Sequence, residues 1–324
     1  MSEPTPSMQV PNRVIPVPTS VSPAAQSILA LGPIDQGEWP ALDDTEGWLA
    51  FRASSEQLIA AALAGQLMGN DQVEDLDIDG VRIYAITPES PVADDNRVYL
   101  YFHGGGLVTG GGDCCRDFGR MTAAHTGLKV WAVDYRMPPE SPYPAALDDC
   151  MVAYRALLDS YPADRILVGG ASAGGNLAAA LSLRARDEGL PLPAATVLLT
   201  PELDLTESGD SFQTNLGIDM VLTRSLMPAN QLYAAGHDLS DPYLSPLFGD
   251  FDKGFPPTFL CTGTRDLFLS NTVRMHRILR AAGIEADLNV FEAMPHGGFM
   301  IPTPEDEDMK AEVNRFIQVH CPQP

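Results

Sequence analysis

Lysine is almost missing from this sequence, with three in 324 residues (Lys129, Lys253 and Lys310). None follows a glycine, which excludes a G-K-[ST] phosphate loop, and none stands three positions after a serine, which excludes the S-x-x-K arrangement. The zinc-binding pattern H-E-x-x-H is absent as well. Positive charge is scarce overall: 20 Lys and Arg against 43 Asp and Glu leave a formal charge of −23. A surface this acidic offers no counter-charge to nucleic-acid phosphates or to anionic membranes. The five cysteines (Cys114, Cys115, Cys150, Cys261 and Cys321) are an odd set without the paired short spacings of a zinc site, so buried free thiols are expected. No 18-residue apolar run occurs, and the opening MSEPTPSMQV lacks the basic start and apolar stretch of an export signal. The expected setting is soluble, reducing and cytoplasmic.

Apolar residues make up 45% of the chain and charged ones 19%, ample for a large core. Eight prolines within residues 1–40 prevent any long helix there and suggest an arm wrapped over the remainder. Helical spacing follows from Asp43 to Met68. After it, strand patterns at 81–86, 97–102, 129–134, 165–169, 195–200, 257–262 and 286–291 alternate with helical patterns near 114–126, 144–159, 173–187, 223–235, 271–282 and 305–318. This alternation predicts an α/β fold with a mostly parallel sheet of about eight strands and helices on both faces. More than 50 residues, Glu202 to Phe255, separate two strands, which predicts an insertion. The expected division is 1–70 as the N-terminal part of a helical cap, 71–203 as the first part of the core, 204–250 as a cap insertion and 251–324 as the second part of the core.

Two glycine-rich motifs sit where strands end. Gly170-Ala171-Ser172-Ala173-Gly174 follows the buried-strand pattern RILVGG and precedes a helix-forming run, which is the context of a nucleophile elbow. Small neighbours are required because such a serine occupies a sharp, strained turn. His103-Gly104-Gly105-Gly106 follows RVYLYF, and consecutive glycines let backbone N–H groups approach a developing oxyanion. The expected donors are Gly105, Gly106 and Gly104 together with Ala173; losing one such donor costs about 3 kcal/mol of barrier stabilisation. His103 is read as a support of the loop, and Gly110-Gly111-Gly112 as turn glycines.

A serine hydroxyl needs a base. Of six histidines, His296 in Met294-Pro295-His296-Gly297-Gly298 leaves the strand 286–291 in a loop, where a base should sit. Asp266 closes the pattern PTFLCTGTR and lies between Ser172 and His296, satisfying the chain order nucleophile, acid, base. Asp204 is the competing acid.

On these motifs, with Asp134-Tyr135-Arg136, the stretch from Pro139 to Asp149 and Gly263-Thr264-Arg265-Asp266, the chain resembles the hormone-sensitive-lipase family of bacterial carboxylesterases, which have the α/β-hydrolase fold. The resemblance covers about residues 95 to 318. It implies Ser172, Asp266 and His296 as the catalytic triad and a cap built from the N-terminal helices and the segment after 195–200. Ala171 stands where the family usually has an aspartate, and Leu107 where it usually has a large aromatic. The expected activity is hydrolysis of short- to medium-chain carboxylic esters, with lactone, amide or lipid hydrolysis, or a non-catalytic receptor, as the alternatives. No metal or organic cofactor is required. The expected partner is a small-molecule ester, without nucleic acid or stable membrane association and with a homodimer left open.

Overall fold

The computed structural model describes residues 7–65, 69–91 and 95–323. Its strands are β1 (Gln72–Ile78), β2 (Val81–Thr87), β3 (Val98–Phe102), β4 (Lys129–Asp134), β5 (Ile166–Ala171), β6 (Ala195–Leu199), β7 (Thr258–Gly263) and β8 (Ala286–Phe291). They form one sheet in the order β1-β2-β4-β3-β5-β6-β7-β8. The β1–β2 and β2–β4 pairs are antiparallel, and the others are parallel. This is an α/β-hydrolase sheet, open at both edges.

The helices are α1 (Pro23–Leu29), α2 (Thr45–Leu63), α3 (Asp113–Thr126), α4 (Ala145–Leu158), α5 (Ala173–Asp187), α6 (Ser211–Thr214), α7 (Met227–Ala234), α8 (Leu269–Ala281) and α9 (Pro304–His320). Alternate strand residues divide between two cores. Val98, Leu100 and Phe102 pack with α4, α5 and α8. Tyr99 and Tyr101 face the other way, with α1, α3 and α9. Coverage of both faces explains why the central strands read as unbroken apolar runs. Each fully buried large side chain contributes about 1.5–3 kcal/mol.

Seven strands coincide with the sequence expectation, and β1 is an addition to it. That edge strand, QVEDLDI, is mostly exposed and carries no clean apolar alternation. Its hairpin partner is fixed by the turn Asp79-Gly80, both at positive φ (51° and 82°). The helix expected over 43–68 ends at Leu63, and its last positions, 66–68, lie outside the described residues. Within 204–250 the structure has α6 and α7, the latter shorter than the expected 223–235 because Pro228 fits only the first turn of a helix.

The N-terminal arm is tied down at several points. Ser22 caps α1 and donates from its N–H and Oγ to Glu305, at 2.6 and 2.8 Å. Further on, Ile34 N–H meets the Met220 carbonyl at 3.0 Å, and Trp39 Nε1 donates to Ser225 O at 2.9 Å. The Arg224 guanidinium lies 3.9 Å from the Trp39 ring centre. The arm and the 204–250 segment therefore contact each other. All five cysteines are buried and free. Among the described residues no helix is long and apolar enough to cross a membrane.

Candidate active site

Ser172 occupies the turn between β5 and α5 at φ 58°, ψ −122°, a left-handed conformation that costs a non-glycine residue about 1–3 kcal/mol. Close packing enforces it. A β-carbon on Gly174 would lie 1.9 Å from the Phe102 carbonyl oxygen at the end of β3, so only glycine lets α5 start there. The Ser172 N–H donates to Leu199 O of β6 at 2.9 Å, and its carbonyl accepts from Gly175 and Asn176 in the first turn of α5.

The glycine loop after β3 comes against this turn. A β-carbon on Gly104 would stand 3.1 Å from Ala171 O and 3.3 Å from Ser172 Cβ. Gly105, at φ 124°, has its would-be β-carbon 2.1 Å from Thr109 O, so the loop closes only without a side chain there. Among the hydrogen bonds of the described residues, the N–H groups of Gly105, Gly106 and Ala173 donate to nothing. They are unspent donors beside the serine.

His103 supports the loop, as its sequence context suggests. It is fully buried and stacked on Tyr135 with ring centres 4.0 Å apart. Its Nδ1 lies 2.8 Å from Gly104 O, and Tyr135 Oη donates to His103 O at 2.8 Å. Burial lowers its pKa to about 4, so the ring is neutral. The far end of the loop is held from α2: Glu56 Oε1 accepts the N–H groups of Gly110 and Gly111, both at 3.1 Å. Leu107, also at positive φ, is fully buried in the core.

Asp266, after β7, and His296, after β8, meet directly, with His296 Nδ1 3.1 Å from Asp266 Oδ1. The Asp266 carboxylate is fully engaged. Its Oδ1 also accepts Phe268 N–H at 2.9 Å, and Oδ2 accepts the Thr262 hydroxyl at 2.7 Å. The Phe268 ring stands edge-on to the imidazole at 4.8 Å. Burial disfavours the charged imidazolium. The hydrogen bond to Asp266 and the charges of Asp266, Asp219 and Glu202 outweigh that penalty, and the His296 pKa rises above its ordinary value. His296 retains 6% exposure. No hydrogen bond joins its ring to the Ser172 hydroxyl among the described residues, so the structure links Asp266 to His296 but leaves His296 and Ser172 unbonded.

Asp204, the alternative acid, is directed elsewhere. Arg274 Nη1 reaches its Oδ2 at 2.8 Å, and Thr206 and Ser208 supply further hydrogen bonds.

Sequence reasoning missed two carboxylates whose charges act on His296. Asp219 accepts the N–H groups of Leu267 (2.8 Å), Val221 (2.9 Å), Leu222 (3.2 Å) and His296 (3.4 Å), pinning the 204–250 segment to both loops. Glu202, just beyond β6, donates its N–H to Ser172 O at 3.2 Å. An acidic residue directly after a strand end was the available signal for Glu202; a lone aspartate inside a long insertion gave none for Asp219.

His103, Cys115 and Asp134 form a possible metal-ligand cluster, with ligand atoms within 4.8 Å of one another. Burial drives the Cys115 thiol pKa well up, and Gly112 N–H occupies Asp134 Oδ1. A zinc ligand must be a thiolate, so a thiol that burial keeps protonated beside a carboxylate oxygen already engaged by a backbone N–H does not fit a preformed centre.

A family model described as alpha/beta hydrolase fold matches residues 99–300. The crystal structure of an esterase E25 is 36% identical, with a TM-score of 0.90, and the match covers 97% of this chain and 99% of that one. An acetyl-hydrolase of Streptomyces hygroscopicus is 37% identical over 208 residues, 63% of this chain and 68% of that protein. A crystal structure of an esterase from the bacterial hormone-sensitive lipase family is 31% identical, with a TM-score of 0.76, over 93% of this chain and 99% of that one. A family model over residues 99–300 and a hormone-sensitive-lipase-family esterase 31% identical over nearly the whole of both chains show that the chain belongs to the bacterial hormone-sensitive-lipase family of α/β-hydrolases.

Proposed function

We propose that this protein is a carboxylester hydrolase that acts on short- to medium-chain esters through an acyl-enzyme on Ser172. One observation supports the reading: an imidazole hydrogen-bonded at Nδ1 to a buried carboxylate follows β8 at the same end of the parallel strands at which β5 ends in a strained serine flanked by unspent backbone donors. His296 is the base, Asp266 fixes its tautomer and balances its charge, and Gly105, Gly106 and Ala173, with Gly104 alongside, form the oxyanion hole. The relatives named esterase and acetyl-hydrolase support the ester class and a small acyl group.

The Nδ1 contact leaves Nε2 as the basic nitrogen of the neutral ring. Ser172 Oγ attacks the ester carbonyl while Nε2 takes its proton, and the tetrahedral oxyanion rests on the backbone donors. The imidazolium then protonates the leaving alcohol, and water repeats the sequence on the acyl-enzyme. The missing hydrogen bond between Ser172 and His296 is compatible with this course, because such contacts often tighten only when substrate binds. None of these steps calls for a metal or an organic cofactor. The arm and the 204–250 segment, joined through Trp39, Ser225 and Arg224 and reaching the glycine loop at Leu226, act in this reading as a cap that sets acyl length.

The test is hydrolysis of p-nitrophenyl esters with two to twelve acyl carbons by the wild-type protein and by Ser172→Ala. The variant should lose on the order of 10⁶-fold in kcat. Equal rates from the two proteins would remove the proposal.

A further inference from the structure

Three carboxylates influence His296, and they are bonded very differently. Asp266 accepts three hydrogen bonds on its two oxygens, and Asp219 accepts four N–H groups. Glu202 is fully buried, and among the described residues neither Oε1 nor Oε2 has a hydrogen-bond partner. Burying a carboxylate without partners costs several kcal/mol, so such a group needs an explanation.

Its backbone is held against the nucleophile. The Glu202 N–H bonds to the Ser172 carbonyl, and its own carbonyl accepts Asn176 Nδ2 of α5 at 2.8 Å. That same amide nitrogen donates to Leu244 O at 2.8 Å, so the position is clamped between α5 and the 204–250 segment. In the sheet β6 lies between β5, which carries Ser172, and β7, which carries Asp266. Glu202 thus extends from the strand end lying between the proposed nucleophile and the proposed acid.

We propose that Glu202 is a positioning residue for His296, a further buried counter-charge, beside Asp266 and Asp219, for the imidazolium formed when the base takes the serine proton. This rests on the role of His296 given above.

The electrostatics agree from both sides. Burial, followed by the like charge of Glu207, raises the Glu202 pKa to about 7, while His296 pulls it down; Glu202 in turn raises the His296 pKa. The other charged groups around the pair are already engaged. Glu207 holds Ser225 Oγ and Leu226 N–H, and Asp204 is paired with Arg274. Asp219 and Asp266 are held by backbone and hydroxyl donors. From α7, the Asn230 amide nitrogen donates to Leu205 O at 3.2 Å and lies close enough to Glu202 to favour its charged form without hydrogen-bonding geometry to it. Among the described residues Glu202 is the member of the group with no hydrogen bond holding its charge in place, so its protonation responds to the charge of the imidazole.

The decisive variant is Glu202→Gln, which keeps the shape and removes the charge. Its kcat should fall about tenfold with KM within about twofold, and the acid limb of kcat/KM should move down by roughly half to one pH unit. Its melting temperature should equal or exceed that of the wild type, because an uncompensated buried charge is gone. Glu202→Asp should recover part of the lost kcat. A wild-type kcat and acid limb in a folded Glu202→Gln protein, or a change confined to KM, overturns the proposal. The ¹⁵N titration of the His296 ring in Ser172→Ala, with and without Glu202→Gln, gives a readout independent of turnover; identical midpoints also overturn it. Hydrolysis persisting in Ser172→Ala would instead defeat the esterase mechanism, so the two failures are distinguishable.

Discussion

Around Ser172 the chain approaches itself so closely that a β-carbon on Gly174 would collide with the Phe102 carbonyl oxygen. Above the glycine loop the fit is looser, since the nearest neighbour of a β-carbon on Gly106 would be a Leu226 methyl at 3.7 Å. The floor is made of strand ends locked by backbone geometry, and the roof of irregular segments joined by scattered ties such as Trp39 to Ser225. Reacting atoms must be held within fractions of an ångström, whereas a lining that selects among acyl chains tolerates adjustment. Substitutions in the floor should therefore change kcat, and those in the roof should change preference among substrates.

The sharpest way to break this contrast is at the acid. Asp266→Asn removes the charge beside His296 and should lower kcat on the order of 10⁴-fold. Asp204→Asn, equally buried but bonded to Arg274, should lower it less than about tenfold. Comparable losses in steady-state kinetics would show that the acid had been misassigned. Next in size is Gly105→Ala, which meets Thr109 O and disturbs the oxyanion donors; a loss of about 10²–10³ in kcat is expected, against a small one for Ser54→Ala on the exposed surface of α2. Acidity gives a smaller, graded effect. Because the base works only when neutral and its pKa is raised, kcat/KM should fall about tenfold per unit below a midpoint lying above about 6.5. A profile flat down to pH 5 would contradict the role of His296. The smallest effect belongs to the roof: Trp39→Ala should change kcat/KM only about two- to tenfold, and unequally across acyl lengths. A uniform fall in kcat for every ester would place Trp39 with the floor.

Much of the floor could be read directly from the residues, because turns and close approaches leave compositional marks. The glycines around Ser172 and after His103, and aspartate and histidine just past strand patterns, identify groups that the fold brings to one end of the sheet. The central strands were equally clear, since burial on both faces leaves continuous apolar runs. β1 left no such mark: an edge strand with exposed acidic residues satisfies its backbone through β2 alone. Glu202 escaped because Asp204, two residues on, presents the same chemistry. Only the arrangement in space reveals that Arg274 engages one carboxylate while, among the described residues, the other has no hydrogen-bond partner. The roof was legible as an arm and an oversized gap between strands, but not in its contacts, which depend on single side chains without periodicity.

The Glu56 carboxylate ties a helix from the chain's beginning to the backbone that runs on from the proposed oxyanion donors. In the proposed mechanism the segment before β1 is therefore part of the scaffold that holds the glycine loop rather than a removable cover. Shortened versions made to widen substrate access should keep residues 45–63, and a permuted chain should open at the Asp79-Gly80 hairpin instead of anywhere within α2.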